Sequence, residues 1–288
     1  MKKLILFLSV VLLFAMNVQA EEWEKIGDVS LNVTQNAYSE NWAGEERSSI
    51  TWVWNLNMML QKQLADKIHN KNTIKFAFGQ SHYQQLNSMN EKYWQKPVKS
   101  TDLIDLESMF RFTFGGYVDP FASLRLESQF LDNSVSDDIR MFNQIHLTEA
   151  FGIAKIFIKE EKTELSARLG AAFKQLQDSK ADGMIDANDG GIQFVADYYT
   201  PLANDMITFT SKFELYKAMY YSEEDNVDND YWKSPDISWE NIFSAKLFKV
   251  INLNLYFQLL YDEEIRFEDE AKLRIKETLG LGISYNLF

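Results

Sequence analysis

The sequence predicts an all-β protein, a single closed antiparallel up-and-down transmembrane β-barrel of about twelve strands. Three observations predict it. The chain opens on a secretory leader, its apolar and polar side chains alternate in segments of strand length, and the connections between those segments are alternately short and long. A barrel in lipid needs all three: export, an apolar side chain outward at every second residue, and backbone paired without an open edge.

The leader comes first. Lys2 and Lys3 supply positive charge, Leu4 to Met16 form an apolar core of 13 residues, and "NVQA" ends with Val18 and Ala20 at the cleavage positions. Residues 1–20 are expected to be removed, leaving 21–288 as one outer-membrane barrel domain of a Gram-negative-type bacterium. The apolar core falls short of the about 20 residues a spanning helix requires, and no later run is longer. With no Cys, neither disulfides nor a Cys-linked lipid anchor can hold the chain. Losing Lys2 and Lys3 moves the net charge from −13 to −15, an acidic balance that argues against nucleic-acid partners.

The alternation is clearest in "ITWVWNLNMML", where Ile50, Trp52, Trp54, Leu56, Met58 and Leu60 share one face and Thr51, Asn55, Asn57 and Gln61 the other. Ile74, Phe76 and Phe78 then alternate with Lys75 and Ala77. Ile104, Leu106, Phe110 and Phe112 alternate with Asp105, Glu107 and Arg111, and Leu124 and Leu126 with Arg125 and Glu127. The period returns at Leu165 to Lys174, Ile207 to Leu215, Ile251 to Leu259 and Leu273 to Leu287, with weaker segments at 29–33, 145–153, 192–198 and 237–247.

Short connections are expected at 115–120, 158–163, 200–205 and 248–250, and long ones at 36–49, 82–101, 131–140, 176–189, 220–236 and 261–271. A soluble two-sheet sandwich is the competing fold, and the regularity of this alternation argues against it. Tyr285, Leu287 and Phe288 are expected to close the barrel by carrying the last strand against the first. Phe288 is similar to the terminal aromatic of many outer-membrane barrels, although Asn286 breaks the usual apolar spacing.

The polar face supplies the candidate lumen lining: Lys75, Asp105, Glu107, Arg111, Arg125, Glu127, Arg168, Lys212, Glu214, Lys246, Arg274 and Lys276. Such a mixed set can line a narrow polar channel or zip into ion pairs that restrict it. Trp52, Trp54, Trp239 and Tyr285 are candidates for the membrane interface, with Trp23, Trp42, Trp94 and Trp232 as further members of aromatic belts. For Trp52 and Trp54, core packing is the plainer alternative. No Gly-rich phosphate loop, Cys/His metal pattern or Gly-x-Ser-x-Gly turn occurs. His82 and His146 are the candidates for a histidine like that of barrel phospholipases, and neither has a partner that the sequence identifies. No catalytic residue, metal ligand or cofactor is therefore assigned. The acidic stretches 223–230 and 262–270 and "DANDGG" (186–191) read as solvated loops, since that motif lacks the spacing and final Glu of a calcium loop.

At "VSLNVTQNAYSENWAGEERSSITWVWNLNMML" the chain resembles domain-of-unknown-function family 3078, through a first strand followed by Ser39, Asn41, Trp42 and Gly44. "IHLTEAFGIAK", "GGIQFVADYYTPL" and "WENIFSAKLFKVINLNLYFQLLYDEE" are also similar to that family. The resemblance implies an outer-membrane-type barrel and carries no activity, substrate or catalytic residue. The expected function is a narrow porin-like channel for small solutes or ions. The alternatives are a closed structural or surface-binding barrel working through its external loops and, third, a barrel hydrolase. Outer-membrane lipid and the barrel-assembly machinery are the expected partners.

Overall fold

A computed structural model of the protein describes residues 23–38, 48–89, 91–135, 138–180, 183–224, 230–248, 250–264, 266–267, 270–271 and 273–287. The expected leader, the Ser39–Gly44 loop and Phe288 lie outside the described residues. Twelve strands form the wall: β1 (Glu24–Asn36), β2 (Ser49–Ala65), β3 (Ile68–Leu86), β4 (Val98–Phe112), β5 (Asp119–Ser128), β6 (Ile145–Lys159), β7 (Glu164–Lys180), β8 (Gly183–Leu202), β9 (Ile207–Tyr221), β10 (Pro235–Lys246), β11 (Ile251–Tyr261) and β12 (Arg274–Asn286). Each pairs antiparallel with the next, and β12 returns to β1, so the sheet closes. The fold is a twelve-stranded up-and-down barrel.

Closure follows from the backbone's own demand. A lipid-exposed edge would leave N–H and C=O groups without partners at several kcal/mol each, and returning β12 to β1 removes much of that edge. Tyr285 pairs with Val29, and the Leu287 N–H donates to the Gly27 carbonyl at 2.9 Å, so two of the three closure candidates take part.

The apolar face points outward. Phe151 and Ile153 on β6, Leu169 and Phe173 on β7, and Leu279 and Leu281 on β12 are exposed, Phe151 by 67%. Asp105 and Arg168 are buried inside, an inversion of the soluble pattern in which such groups seldom hide unless paired. The wall is tight at Gly152 and Gly170, which face each other across β6 and β7. A Cβ on Gly152 would stand 2.2 Å from the Leu169 carbonyl oxygen, and one on Gly170 would stand 2.3 Å from that of Phe151.

Connections alternate as expected at one end, the turn end, where residues 66–67, 113–118, 160–163, 203–206 and 247–250 join strands. At the loop end, however, most of the expected loops are paired backbone. β7 and β8 continue to Lys180 and from Gly183, so 176–189 is a hairpin extension rather than a long loop. "DANDGG" therefore lies in β8, with Asp186 opposite Gln177 and Asp189 opposite Lys174. Beyond the apolar belt both strand faces meet water, so the period that betrays a strand disappears there. Residues 82–101 likewise hold the end of β3, a short strand Lys92–Trp94 paired to it, and the start of β4. Leu131–Val135 and Asp138–Met141 form a small hairpin, and so do Arg266–Phe267 and Glu270–Ala271.

Candidate functional site

Because inward residues come from every strand, partners on far walls meet in the lumen. Lys75 on β3 reaches Glu240 on β10 at 2.8 Å, although these strands stand five apart around the wall. The other Glu240 oxygen accepts from the Tyr256 hydroxyl at 3.0 Å. Arg125 on β5 holds both oxygens of Asp105 through Nε and Nη2, at 2.8 and 3.0 Å; Nη2 also lies 2.9 Å from Glu127, and Nη1 reaches Glu214 on β9 at 3.1 Å. Glu214 in turn accepts from Gln193 at 2.6 Å. Arg168 on β7 pairs with Glu107 on β4 at 2.5 Å and touches the Met109 sulfur at 3.4 Å. Lys212 lies in the field of Asp105, Glu107, Glu214 and Glu240.

Eight of the twelve residues expected in the lumen thus join one lattice or stand in its field. Burial makes a guanidinium a better cross-link than an ammonium here, because its planar fork can hold several carboxylates at once. Arg111 lies toward the turn end, 3.7 Å from Asp119. Lys276 lies 5.6 Å from the Tyr256 ring centre, and Arg274 is near the loop end of β12. Lys246 is a correction: it is the exposed last residue of β10, on the rim, where alternation alone does not tell lining from lip.

Among the interface candidates, Trp52 packs on Phe78 at 5.9 Å and Trp54 is half-buried beside it on the same outward face. Trp239 is exposed and donates its indole N–H to Ser211 at 3.0 Å, and Tyr285 is 66% exposed. Trp232 departs from the belt reading. It sits in a short 3-10 turn between β9 and β10, only 7% exposed, with its ring 5.9 Å from Tyr221. It packs into an inward apolar cluster with Tyr216, Ala218, Ala172 and Phe121. No local signal distinguishes this Trp from a belt residue, because the contact is made by folding the connection inward.

His82 aligns with Ile50 and His146 with Glu127 and Leu176, and among the described residues neither hydrogen-bonds a serine. Around the mouth, Tyr216 donates to Asp189, Lys174 lies 3.6 Å from Asp236, and Ser234 donates to Glu263. Among the described residues no group of three or more His, Asp or Glu side chains is arranged to hold a metal ion.

Glu264, in the connection after β11, is pushed up from 4.5 to about 7, first by burial and then by Asp262, Asp236 and Asp189. A carboxyl raised on folding binds its proton more tightly in the folded state, so its contribution is complete below 4.5 and lost as pH rises to about 7. The melting temperature is therefore expected to fall across that window. Glu264→Gln should flatten this part of the profile, and an unchanged slope would contradict the assignment.

Residues 33–133 match DUF3078, described as a protein of unknown function. The DUF3078 stretch carries Lys75, Asp105, Glu107, Arg111, Arg125 and Glu127, the first half of the inward set, and ends before the three later segments of similarity. No curated protein matches the sequence. Among solved structures, an outer membrane channel from Pseudomonas putida F1 is similar at 14% identity, covering 94% of this chain and 96% of that one with a TM-score of 0.40. The outer membrane channel DcaP of Acinetobacter baumannii is 9% identical over 92% and 97% of the two chains, with a TM-score of 0.37. The translocator domain of autotransporter NalP from Neisseria meningitidis is 9% identical over 96% and 92%, with a TM-score of 0.35.

Proposed function

We propose that the exported chain spans the outer membrane, with its loop end outside, as a narrow conduit for ions or small solutes that is shut at rest by the cross-lumen lattice. One observation carries this reading: Lys75–Glu240 and Arg125–Glu214 tie far walls together by charge rather than by apolar packing. Parting an ionic contact in a polar lumen leaves both charges in place to be hydrated by entering water, whereas parting an apolar plug would expose greasy surface. Ionic closure is therefore reversible by hydration. The reading assigns no catalytic step.

Conductance in planar bilayers tests it. The wild type is expected to be shut for most of the recording at neutral pH, and Lys75→Ala should raise the mean conductance several-fold. A wild type that conducts steadily, like an open pore, would contradict closure by the lattice. Silence in both proteins would favour the second reading, a closed surface barrel, which Trp232 folded into the mouth and the long β7–β8 extension support.

A further inference from the structure

The seam where β12 meets β1 is paired along only part of its length. Five rungs join the strands, from Asp28–Asn286 to Asn32–Gly282, against eight at the β4–β5 seam, the next shortest. Past Asn32, β1 stays paired to β2 through Asn36, and past Gly282, β12 stays paired to β11 back to Arg274, yet the two share no further rung. The pairing covers the turn-end half, and the loop-end half is a notch in the wall.

A clasp marks where the notch begins. The Asn32 side chain crosses over β12 to accept from Asn254 on β11 at 3.3 Å. It can do so because residue 282 is glycine, where a Cβ would lie 2.1 Å from the Asn32 Oδ1. Above the clasp the two faces of β12 differ. Outward stand exposed Ile275, Leu279 and Leu281, with the exposed carboxylate Glu277 among them. Inward stand Lys276, opposite Gln258, and Arg274, whose Nε and Nη2 are buried without a hydrogen-bond partner among the described residues.

We propose that this half-seam is a lateral opening, in which an anionic phosphate-bearing lipid of the outer leaflet seats its head group on Arg274 and Lys276 while its chains stay in the bilayer. Unpaired strand backbone in hydrocarbon is costly, so the notch needs a polar filling, and the cations on its lumen side select a negative one. The apolar lip outside matches acyl chains. Glu277 fits a lip at head-group depth, where an outward charge costs little. A peptide strand would satisfy the backbone edge but leave the outward lip without the chains that cover it. The opening does not depend on whether the central lattice conducts.

Native mass spectrometry of the full-length protein, extracted from vesicles of equal phosphatidylglycerol and phosphatidylcholine, tests the proposal. The wild type is expected to retain phosphatidylglycerol in at least fivefold excess, and R274Q/K276Q should lose that excess while keeping heat-modifiable gel mobility. A second arm bridges the next rung: the chain has no Cys, so V33C/L281C can be joined specifically by oxidation or a short bismaleimide. The bridged form should lose the retained lipid and the unbridged form should keep it. Equal retention of the two lipids, retention unchanged in the double variant or in the bridged form, or displacement of the lipid by millimolar inorganic phosphate would overturn the proposal. So would a retained peptide in place of lipid on the protein purified directly from cells.

Discussion

Replacing Arg125 by alanine is expected to lower the stability of the folded barrel by about 3–5 kcal/mol, the cost of stranding buried charges by removing their partner. The side chain is 15% exposed and serves three carboxylates, those of Asp105, Glu127 and Glu214. Removing it leaves them facing one another with Lys75 and Lys212 as the nearest compensation. Asp105→Asn added to Arg125→Ala should recover part of the loss, since it withdraws a charge left alone. The transition between the folded and unfolded forms on unheated gels, followed with temperature or urea, gives the measurement. A melting point for Arg125→Ala equal to that of the wild type would show that water, rather than the guanidinium, balances those carboxylates.

The second large effect is steric and lies in the wall. Gly152→Ala and Gly170→Ala each place a Cβ within 2.4 Å of backbone on the opposite strand, which has no flexible end to give way. Overpacking of this kind costs about 1–3 kcal/mol per site, and the residues are opposite one another, so the double variant should lose more than the sum. Refolding into detergent micelles, scored by heat-modifiable mobility, should fall for each and fail for both. A wild-type yield from the double variant would mean that β6 and β7 do not approach this closely.

The barrel itself was legible because lipid imposes a strict rule. An outward side chain at every second residue must be apolar, and Trp52 through Leu60 or Ile251 through Leu259 obey that rule without interruption. Outside the belt the rule lapses. Asp186 to Asp189 therefore read as a loop though they pair with Lys174 to Gln177, and the strand at Lys92–Trp94 left no trace. The lumen was legible by residue type but not by partnership. Alternation places Lys75 inside, yet only the closure of twelve strands brings it against Glu240, 165 residues away. Tyr256 and Gln193, uncharged members of the same lattice, gave no signal beyond their polarity. Lys246 fails for the complementary reason: it has the right parity and charge, but β10 ends there. The short β12–β1 ladder could not be read at all, because both strands carry a good pattern and register is a property of the pair.

The central claim is that far walls of one closed barrel meet through charge. Its most direct test is the exchange of the Lys75–Glu240 pair, with the melting of folded Lys75→Glu, Glu240→Lys and the double swap compared in the same detergent. Each single reversal should destabilise the barrel, and the double swap should restore most of the loss. A double swap as unstable as the two single losses combined, or single reversals that melt like the wild type, would contradict a lumen held shut by ion pairs.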